Sequence, residues 1–272
     1  MRTCLLYFCL AFFIFVFSNH NVKAALPFVT DDAFVQEPKQ LALETFVERW
    51  NLSKKEVAEK NATTVYGYFL SGSYGLAKNL ELTMAGNIGY DAKKDSTSFM
   101  NPILQLKTKI FEHKNPSIPS IAFDLGYANK NGKGEYFDTA TNYYGIAAAT
   151  SRFLNDKIIV HLNFGKKASY DIPHNHIIRT HLGIGLDIAL LQKIRLVVES
   201  YNGAPNSPRD SPDFFRSSQV GLKWLKSDRS SFYVIYGNQP TYAGNDSSGN
   251  FIHRNTSWVQ LGARIVFDGF FD

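Results

Sequence analysis

The sequence predicts an all-β protein, a single antiparallel transmembrane β-barrel of about twelve strands with short periplasmic turns and long extracellular loops. Three observations predict this class. Hairpin segments alternate apolar and polar residues, each segment is long enough to cross a bilayer at a tilt, and the connections alternate between long and short. A soluble sandwich offers no reason for that rhythm of connections, so the three together favour a membrane barrel.

The clearest alternation lies in residues 178–203, which form two segments around a short break. Apolar residues take one face, while His181, Asp187, Arg195 and Glu199 take the other. A soluble sandwich would bury the apolar face. A membrane barrel would turn the same face to lipid and the polar face to a lumen. This hairpin alone leaves both interpretations open.

Segments of this kind recur along the whole chain. Their length, about 9 to 13 residues, is what a tilted strand needs to cross a bilayer, whereas ordinary strands have about 5 to 6. The predicted strands cover residues 39–50, 62–76, 79–90, 101–112, 118–129, 141–153, 157–168, 178–190, 193–203, 214–226, 229–238 and 255–267. Long connections are predicted at 51–60, 91–100, 130–140, 169–176, 204–213 and 239–251. An even-stranded barrel with both termini in the periplasm has this pattern of connections.

Aromatic residues near the predicted strand ends fall into two groups, as the girdles of a membrane barrel require. The group near the short turns contains Phe111, Phe153, Trp224, Phe232 and Phe267. The group near the long loops contains Tyr90, Tyr127, Tyr201, Phe214 and Tyr236.

The first 24 residues have the features of a secretory signal: a basic residue, an apolar run over residues 4–17, and a small residue at Ala24. We therefore expect export through the Sec pathway and three regions: a signal peptide (1–24), an N-terminal periplasmic or lumen segment (25–38) and the barrel (39–272). Cys4 and Cys9 both fall in the signal, so a mature chain without a disulfide is expected. The mean hydropathy of −0.18 does not decide the class, because lipid-facing and lumen-facing residues alternate in a barrel.

The residues after the predicted signal carry a family resemblance. Residues 26–33 read LPFVTDDA, and ESYNG at 199–203 is followed by QVGLKW at 219–224. These blocks resemble a family of bacterial outer-membrane barrels similar to the MetA-pathway phenol-degradation proteins, whose mature chains open on a P-x-x-T-D-D-A segment. The resemblance implies a barrel of about a dozen strands in the outer membrane and a role in moving small molecules. Its specific motif consists of Thr30, Asp31, Asp32 and Ala33.

If the polar faces look inward, charged side chains of both signs line the lumen. The predicted lining residues are Glu44, Glu81, Lys107, Lys109, Asp124, Arg152, His161, Asp187, Arg195, Glu199, Lys223 and Arg264. Two hypotheses remain open for them. The first is a water-filled passage whose charged walls select solutes, and the second is a self-neutralising network that fills a narrow barrel.

The expected function is that of a passive channel or transporter for small solutes, including hydrophobic or aromatic ones, in the outer membrane of a Gram-negative bacterium. The expected partners are outer-membrane lipid, the solute and the barrel-assembly machinery, with no cofactor, no metal and no nucleic acid. Two alternatives remain: a barrel enzyme acting on lipids, and a structural or adhesive surface protein. An enzyme is not the expectation, because no motif brings a Ser, a His and an orienting amide together. Asp171, His174 and His176 offer metal ligands, but loop histidines are more often plain polar residues.

Asp31 and Asp32 precede the first predicted strand and therefore lie at the periplasmic mouth. Strand direction puts Arg195 and Arg264 in the same half of the lumen, together with Arg152 and Lys223. We expect residues 27–38 to fold into this mouth and narrow the pore, with Asp31 or Asp32 paired to Arg264 or Arg195. The alternative is a solvated leader outside the barrel.

Overall fold

A computed structural model describes residues 30–52, 63–92, 95–99, 102–129, 141–170, 176–202, 217–245 and 251–270. Within these ranges the chain forms thirteen β-strands. They are β1 (Leu41–Leu52), β2 (Thr63–Ala77), β3 (Leu80–Asp91), β4 (Ser96–Phe99), β5 (Ile103–Phe111), β6 (Ser120–Ala128), β7 (Thr141–Phe153), β8 (Ile158–Tyr170), β9 (His176–Ala189), β10 (Ile194–Tyr201), β11 (Ser217–Ser227), β12 (Ser230–Asn245) and β13 (Phe251–Phe267). The described residues include no helix that is long and apolar enough to cross a membrane.

The strands form one antiparallel sheet that closes on itself. Apart from β4 and β5, each strand pairs with its neighbours along the chain, and β1 pairs with both β2 and β13. The short β4 and the longer β5 both pair with β3, so together they make a single barrel strand. The described residues therefore form a closed antiparallel barrel of twelve strands, which confirms the predicted fold class.

The strands extend further toward the long-loop end than the sequence predicts. β4 lies inside the stretch predicted as the loop 91–100, and β12 and β13 take up much of the predicted loop 239–251. Tyr242, for example, still pairs with His253. A hairpin that continues in register satisfies backbone N–H and C=O groups, which a loop must satisfy in other ways. The predicted loops at 130–140 and 204–213 lie outside the described residues.

The outer and inner faces of the barrel differ as a membrane barrel requires. In β5, the outward Leu104 and Ile110 are 46% and 67% exposed, whereas the inward Lys107 between them is 4% exposed. The same inversion holds in β11, where Leu222 and Trp224 are exposed and Lys223 is buried. Large apolar side chains on the outside of a closed barrel form a surface that suits lipid rather than water.

The prediction is wrong for one girdle residue, Tyr201. Tyr201 is 1% exposed and points into the barrel. It shares the parity of Val197 and Glu199, which also face inward, so the period of two along β10 fixes its direction. Tyr236 and Trp224 do face outward, and Phe214 lies outside the described residues.

Several non-glycine residues adopt left-handed backbone conformations at turns. The turn between β7 and β8 contains Leu154, Asn155 and Asp156 with φ values of 55°, 55° and 63°. Asn and Asp tolerate this conformation better than most residues because their short side chains bond the backbone locally. Lys39, just before β1, has a φ of 66°. It stands where the N-terminal segment joins the barrel wall.

Candidate functional site

All twelve predicted lining residues lie on the inner faces of their strands. Eight are buried, and Glu44, Lys109, Arg152 and Arg195 are half-buried. Charges this deep need partners or solvent, because burying an unpaired charge is costly. The identity of the partners therefore shows how the lumen is organised.

The most prominent object inside the barrel is the N-terminal segment, defined here as residues 30–38. Thr30, Asp32, Ala33 and Gln36 are all buried, although each precedes the first strand. A solvated leader would leave them exposed. The described part of this segment therefore lies within the lumen.

Side chains of the wall hold the backbone of the N-terminal segment. The Thr30 N–H donates to the Glu199 carboxylate. The N–H groups further along the segment also donate to the wall: Asp31 to Asn163 Oδ1 at 2.6 Å, Ala33 to Thr150 Oγ1 at 2.9 Å and Gln36 to Glu81 Oε2 at 2.7 Å. These bonds satisfy backbone donors that would otherwise be buried without a partner. Because they go to side chains, the segment is docked in the barrel without being a strand of it.

Lys107 on β5 anchors the two aspartates of the segment. Its Nζ lies 2.5 Å from Asp31 Oδ1 and 3.2 Å from Asp32 Oδ1. The expected pairing with Arg195 or Arg264 is therefore wrong. Arg195 is already neutralised by Asp187 on the neighbouring strand β9, and the segment crosses the lumen on the side of β5.

The charge of Asp32 is set by this environment. Burial alone would raise the pKa of its carboxyl, but the positive charges of Lys107, His161 and Arg264 and the N–H of Phe34 outweigh burial and lower that pKa. Asp32 is therefore ionised at neutral pH. Its attraction to Lys107 holds the segment in place.

Two further contacts fix the path of the segment. The Arg152 guanidinium lies over the Phe34 ring, with Cζ 4.2 Å from the ring centroid, a cation–π contact. A Cβ built on Gly183 would lie 2.7 Å from Thr30 Oγ1, so the glycine leaves the room that Thr30 occupies. Sequence reasoning missed the roles of Phe34 and Gly183, since neither residue type marks a contact with a distant segment.

The lumen consequently has two unlike walls. The docking wall comprises β2, β3 and β5 to β10, and side chains of β3, β5, β7, β8 and β10 bind the N-terminal segment. The opposite wall comprises β11, β12, β13 and β1. Among the described residues, residues 30–36 make their hydrogen bonds to the barrel on the docking wall only. The described segment therefore lies against the docking wall.

Aromatic side chains also point into the lumen, on and beside the opposite wall. Phe46 of β1 stacks on Phe69 of β2 with centroids 4.5 Å apart, and Trp50 stacks on Trp258 at 4.8 Å. The Tyr233 hydroxyl donates to Glu44 Oε1 at 2.8 Å. The interior thus combines charged and aromatic surfaces.

Among the described residues, no group of three His, Cys, Asp or Glu side chains is arranged to hold a metal ion. Asp171 and His174, two of the three loop ligands considered from the sequence, lie outside the described part of the chain.

Comparisons with solved structures show the same fold. The chain is similar to the COG4313 outer membrane channel from Pseudomonas putida F1, with a TM-score of 0.58 and 9% identity over 90% of this chain and 100% of that one. It is also similar to the NanC porin, with a TM-score of 0.51 and 9% identity over 81% of this chain and 98% of that one. At this identity the likeness establishes the outer-membrane barrel fold.

None of the curated proteins matches the sequence. A family model described as "Uncharacterised conserved protein UCP029691" matches residues 13–267, which is nearly the whole chain. The chain therefore belongs to the family described as Uncharacterised conserved protein UCP029691.

Proposed function

We propose that this protein is a passive outer-membrane channel for small solutes, and that the N-terminal segment narrows its lumen. The observation that carries the proposal is the docking of a non-strand segment inside a closed barrel. Side-chain contacts such as Lys107 with Asp31 and Asp32 can break while every strand pair remains intact. A segment that can leave the lumen while the barrel stays closed would restrict the width of the passage.

The size and chemistry of the lumen bear on the solute. A twelve-stranded barrel is intermediate between filled barrels of about 8 strands and open porins of 16 to 18, and here a segment takes up part of it. Small solutes fit such a passage. The stacked pairs Phe46–Phe69 and Trp50–Trp258 support hydrophobic or aromatic solutes among them, as the resemblance to the MetA-pathway proteins also implies.

A lipid-directed enzyme is supported less well. The described residues do place the Thr150 hydroxyl 3.0 Å from His161 Nδ1, a contact that nucleophilic catalysis could use. Thr150 Oγ1 also accepts the N–H of Ala33, and both side chains are buried beneath the segment. That pair anchors the segment and faces away from the lipid.

Single-channel recording in planar bilayers tests the proposal. Replacing Asp31 and Asp32 together by alanine removes both carboxylates that bind Lys107, so the segment should leave the lumen and conductance should rise. The control is Glu37→Ala, which removes a carboxylate from an exposed position of the same segment. Equal conductance in the double variant and the wild type would refute the narrowing. The absence of any conductance in all three proteins would refute the channel.

A second pair of variants tests the same docking without changing charge. Gly183→Val places a side chain where Thr30 lies, whereas Gly86→Val adds one to a glycine with nothing within 4 Å of its Cβ position. Gly183→Val should raise conductance, and Gly86→Val should not. Equal behaviour of the two valine variants would show that Thr30 does not restrict the passage.

A further inference from the structure

Arg264 on β13 differs from the other buried cations of the lumen. It is 8% exposed and points inward, yet its Nε is buried without a hydrogen-bond partner. It forms no ion pair with another described residue. Lys107 and Arg195, by contrast, each hold a carboxylate. A buried guanidinium N–H without a hydrogen-bond acceptor costs free energy, so its presence calls for an explanation.

Ser231 on β12 is the direct cross-strand neighbour of Arg264 and is in the same condition. The two residues are register partners, which puts their Cβ atoms about 5 Å apart. Ser231 is 1% exposed, and its hydroxyl also has no partner among the described residues. Two unsatisfied donors thus lie side by side on the opposite wall.

The neighbours of this pair favour an anion. On the other side of Arg264, Glu44 is its register partner in β1, but that carboxylate accepts the Tyr233 hydroxyl. Lys223, also buried, lies opposite Tyr233 in the β11–β12 pair. The Asp32 carboxylate also acts on Arg264. Among the described residues neither Glu44 nor Asp32 forms a hydrogen bond or ion pair with the guanidinium, so its N–H groups remain available to an incoming negative group.

The position of Arg264 and Ser231 in the barrel also favours contact with a passing solute. The hydrogen bonds and ion pairs of residues 30–36 go to the docking wall, so a solute that passes beside the segment meets the opposite wall. Arg264 lies near the short-turn end of β13, close to where the segment enters the barrel. A solute would therefore reach it where the passage is narrowed.

We propose that Arg264 and Ser231 form a binding site for the oxyanion group of a small solute, a carboxylate or a phosphate. This inference rests on the proposed channel function and names the solute chemistry. The guanidinium presents a planar fork of N–H donors that matches two oxygens of such a group, and the serine hydroxyl donates a further bond. Lys223 contributes positive charge from β11. The bound oxyanion would satisfy both unpartnered donors.

The test measures binding separately from conduction. Folded protein in detergent is titrated with sodium acetate or inorganic phosphate at constant ionic strength, and the temperature at which the barrel unfolds is followed by gel mobility. Both probes, or one of them, should stabilise the wild type saturably. Arg264→Gln should raise the half-saturating concentration by about tenfold or more, because hydrogen bonds to charged groups are worth at least that factor. Ser231→Ala should raise it about threefold.

Lys109→Gln is the matched control. It also removes one inward positive charge, but from β5, where Lys109 pairs with Glu112 at 2.8 Å. Its half-saturating concentration should stay within about twofold of the wild type, since it is remote from the site. Ser231→Ala removes only an unpartnered hydroxyl and should fold normally. It therefore keeps the test decisive if Arg264→Gln fails to fold.

The outcomes separate the hypotheses. A response to acetate alone supports a carboxylate solute, and a response to phosphate alone supports a phosphate solute. No saturable response to either probe, or an equal loss in Lys109→Gln and Arg264→Gln, overturns the site. Stabilisation that depends on Arg264, in a protein that conducts no ions, would support the site and refute the channel.

Discussion

The two walls of the lumen use buried cations in different ways. On the docking wall, Lys107 is surrounded by carboxylates and binds two of them, Asp31 and Asp32, from the N-terminal segment. On the opposite wall, Arg264 is nearly as buried but binds none. Both cations lie near the short-turn ends of their strands, so depth does not explain the difference. The contacts of the segment explain it, because Asp31 and Asp32 form ion pairs with Lys107, whereas Arg264 acts on Asp32 without forming an ion pair.

The largest expected effect comes from removing one buried lysine from each wall. Lys107→Met leaves Asp32 buried without its partner, and removing one member of a buried ion pair costs about 3 to 5 kcal/mol. The segment can relieve that cost by leaving the lumen. Lys223→Met removes an equally buried charge from the opposite wall and should leave the segment docked.

A cysteine in the segment reports this difference. Cys4 and Cys9 are the two cysteines of the sequence, and both fall in the predicted signal, so Thr30→Cys would introduce the single thiol of the mature protein. Thr30 is buried, and its thiol should be labelled slowly in the wild type and with Lys223→Met, but rapidly with Lys107→Met. Glu37→Cys, at an exposed position, should be labelled in all backgrounds. Rapid labelling of Thr30→Cys in the Lys223→Met background would show that docking of the segment depends on the opposite wall as well.

A charged substitution on the outer surface of the barrel should have the same effect on stability in either wall. Leu106 on β5 and Leu222 on β11 are both exposed on the outside of the barrel. An arginine at either position should lower the free energy of unfolding in lipid by about 2 to 4 kcal/mol if it lies near the bilayer midplane. Denaturant titration in lipid vesicles measures both. A large cost at one position only would mean that the apolar band does not surround the whole barrel.

The inner and outer faces could be predicted because strand geometry has a strict period of two. Once β5 is recognised, the directions of Lys107 and Leu106 follow from their parity alone. The same rule, applied to β10, puts Tyr201 inside. Its position near the strand end is typical of a girdle residue, but that position does not set the direction of the side chain.

The partner of Asp31 and Asp32 could not be predicted from the sequence. The alternation along a strand shows whether a side chain points inward and how deep in the barrel it lies, but it does not show which strands the N-terminal segment contacts. Arg264 and Lys107 are equivalent candidates by both measures. The choice depends on distant residues such as Asn163, Thr150 and Gly183, which accept or accommodate the segment. Ser231 gave no signal either, because a lone serine on a strand is ordinary until its neighbour is known to lack a partner.

The smallest expected effect is a release of the segment by acid. Asp32 faces Lys107 from β5, His161 from β8 and Arg264 from β13, with Asp31 beside it and Asp124 and Glu81 near the same lysine. Its pKa in the folded protein is lowered from the usual 3.8. Because the pKa of Asp32 is lowered, its carboxylate stabilises docking fully at pH values above the usual pKa. This contribution is lost as the pH falls through the lowered pKa.

Conductance should therefore be constant from neutral pH to about pH 5 and rise only below about pH 4. Asp32→Asn should remove most of this dependence while raising conductance at every pH, because the amide has no charge to lose. A rise between pH 5 and 7 that persists in Asp32→Asn would show that the release does not depend on the Asp32 carboxylate.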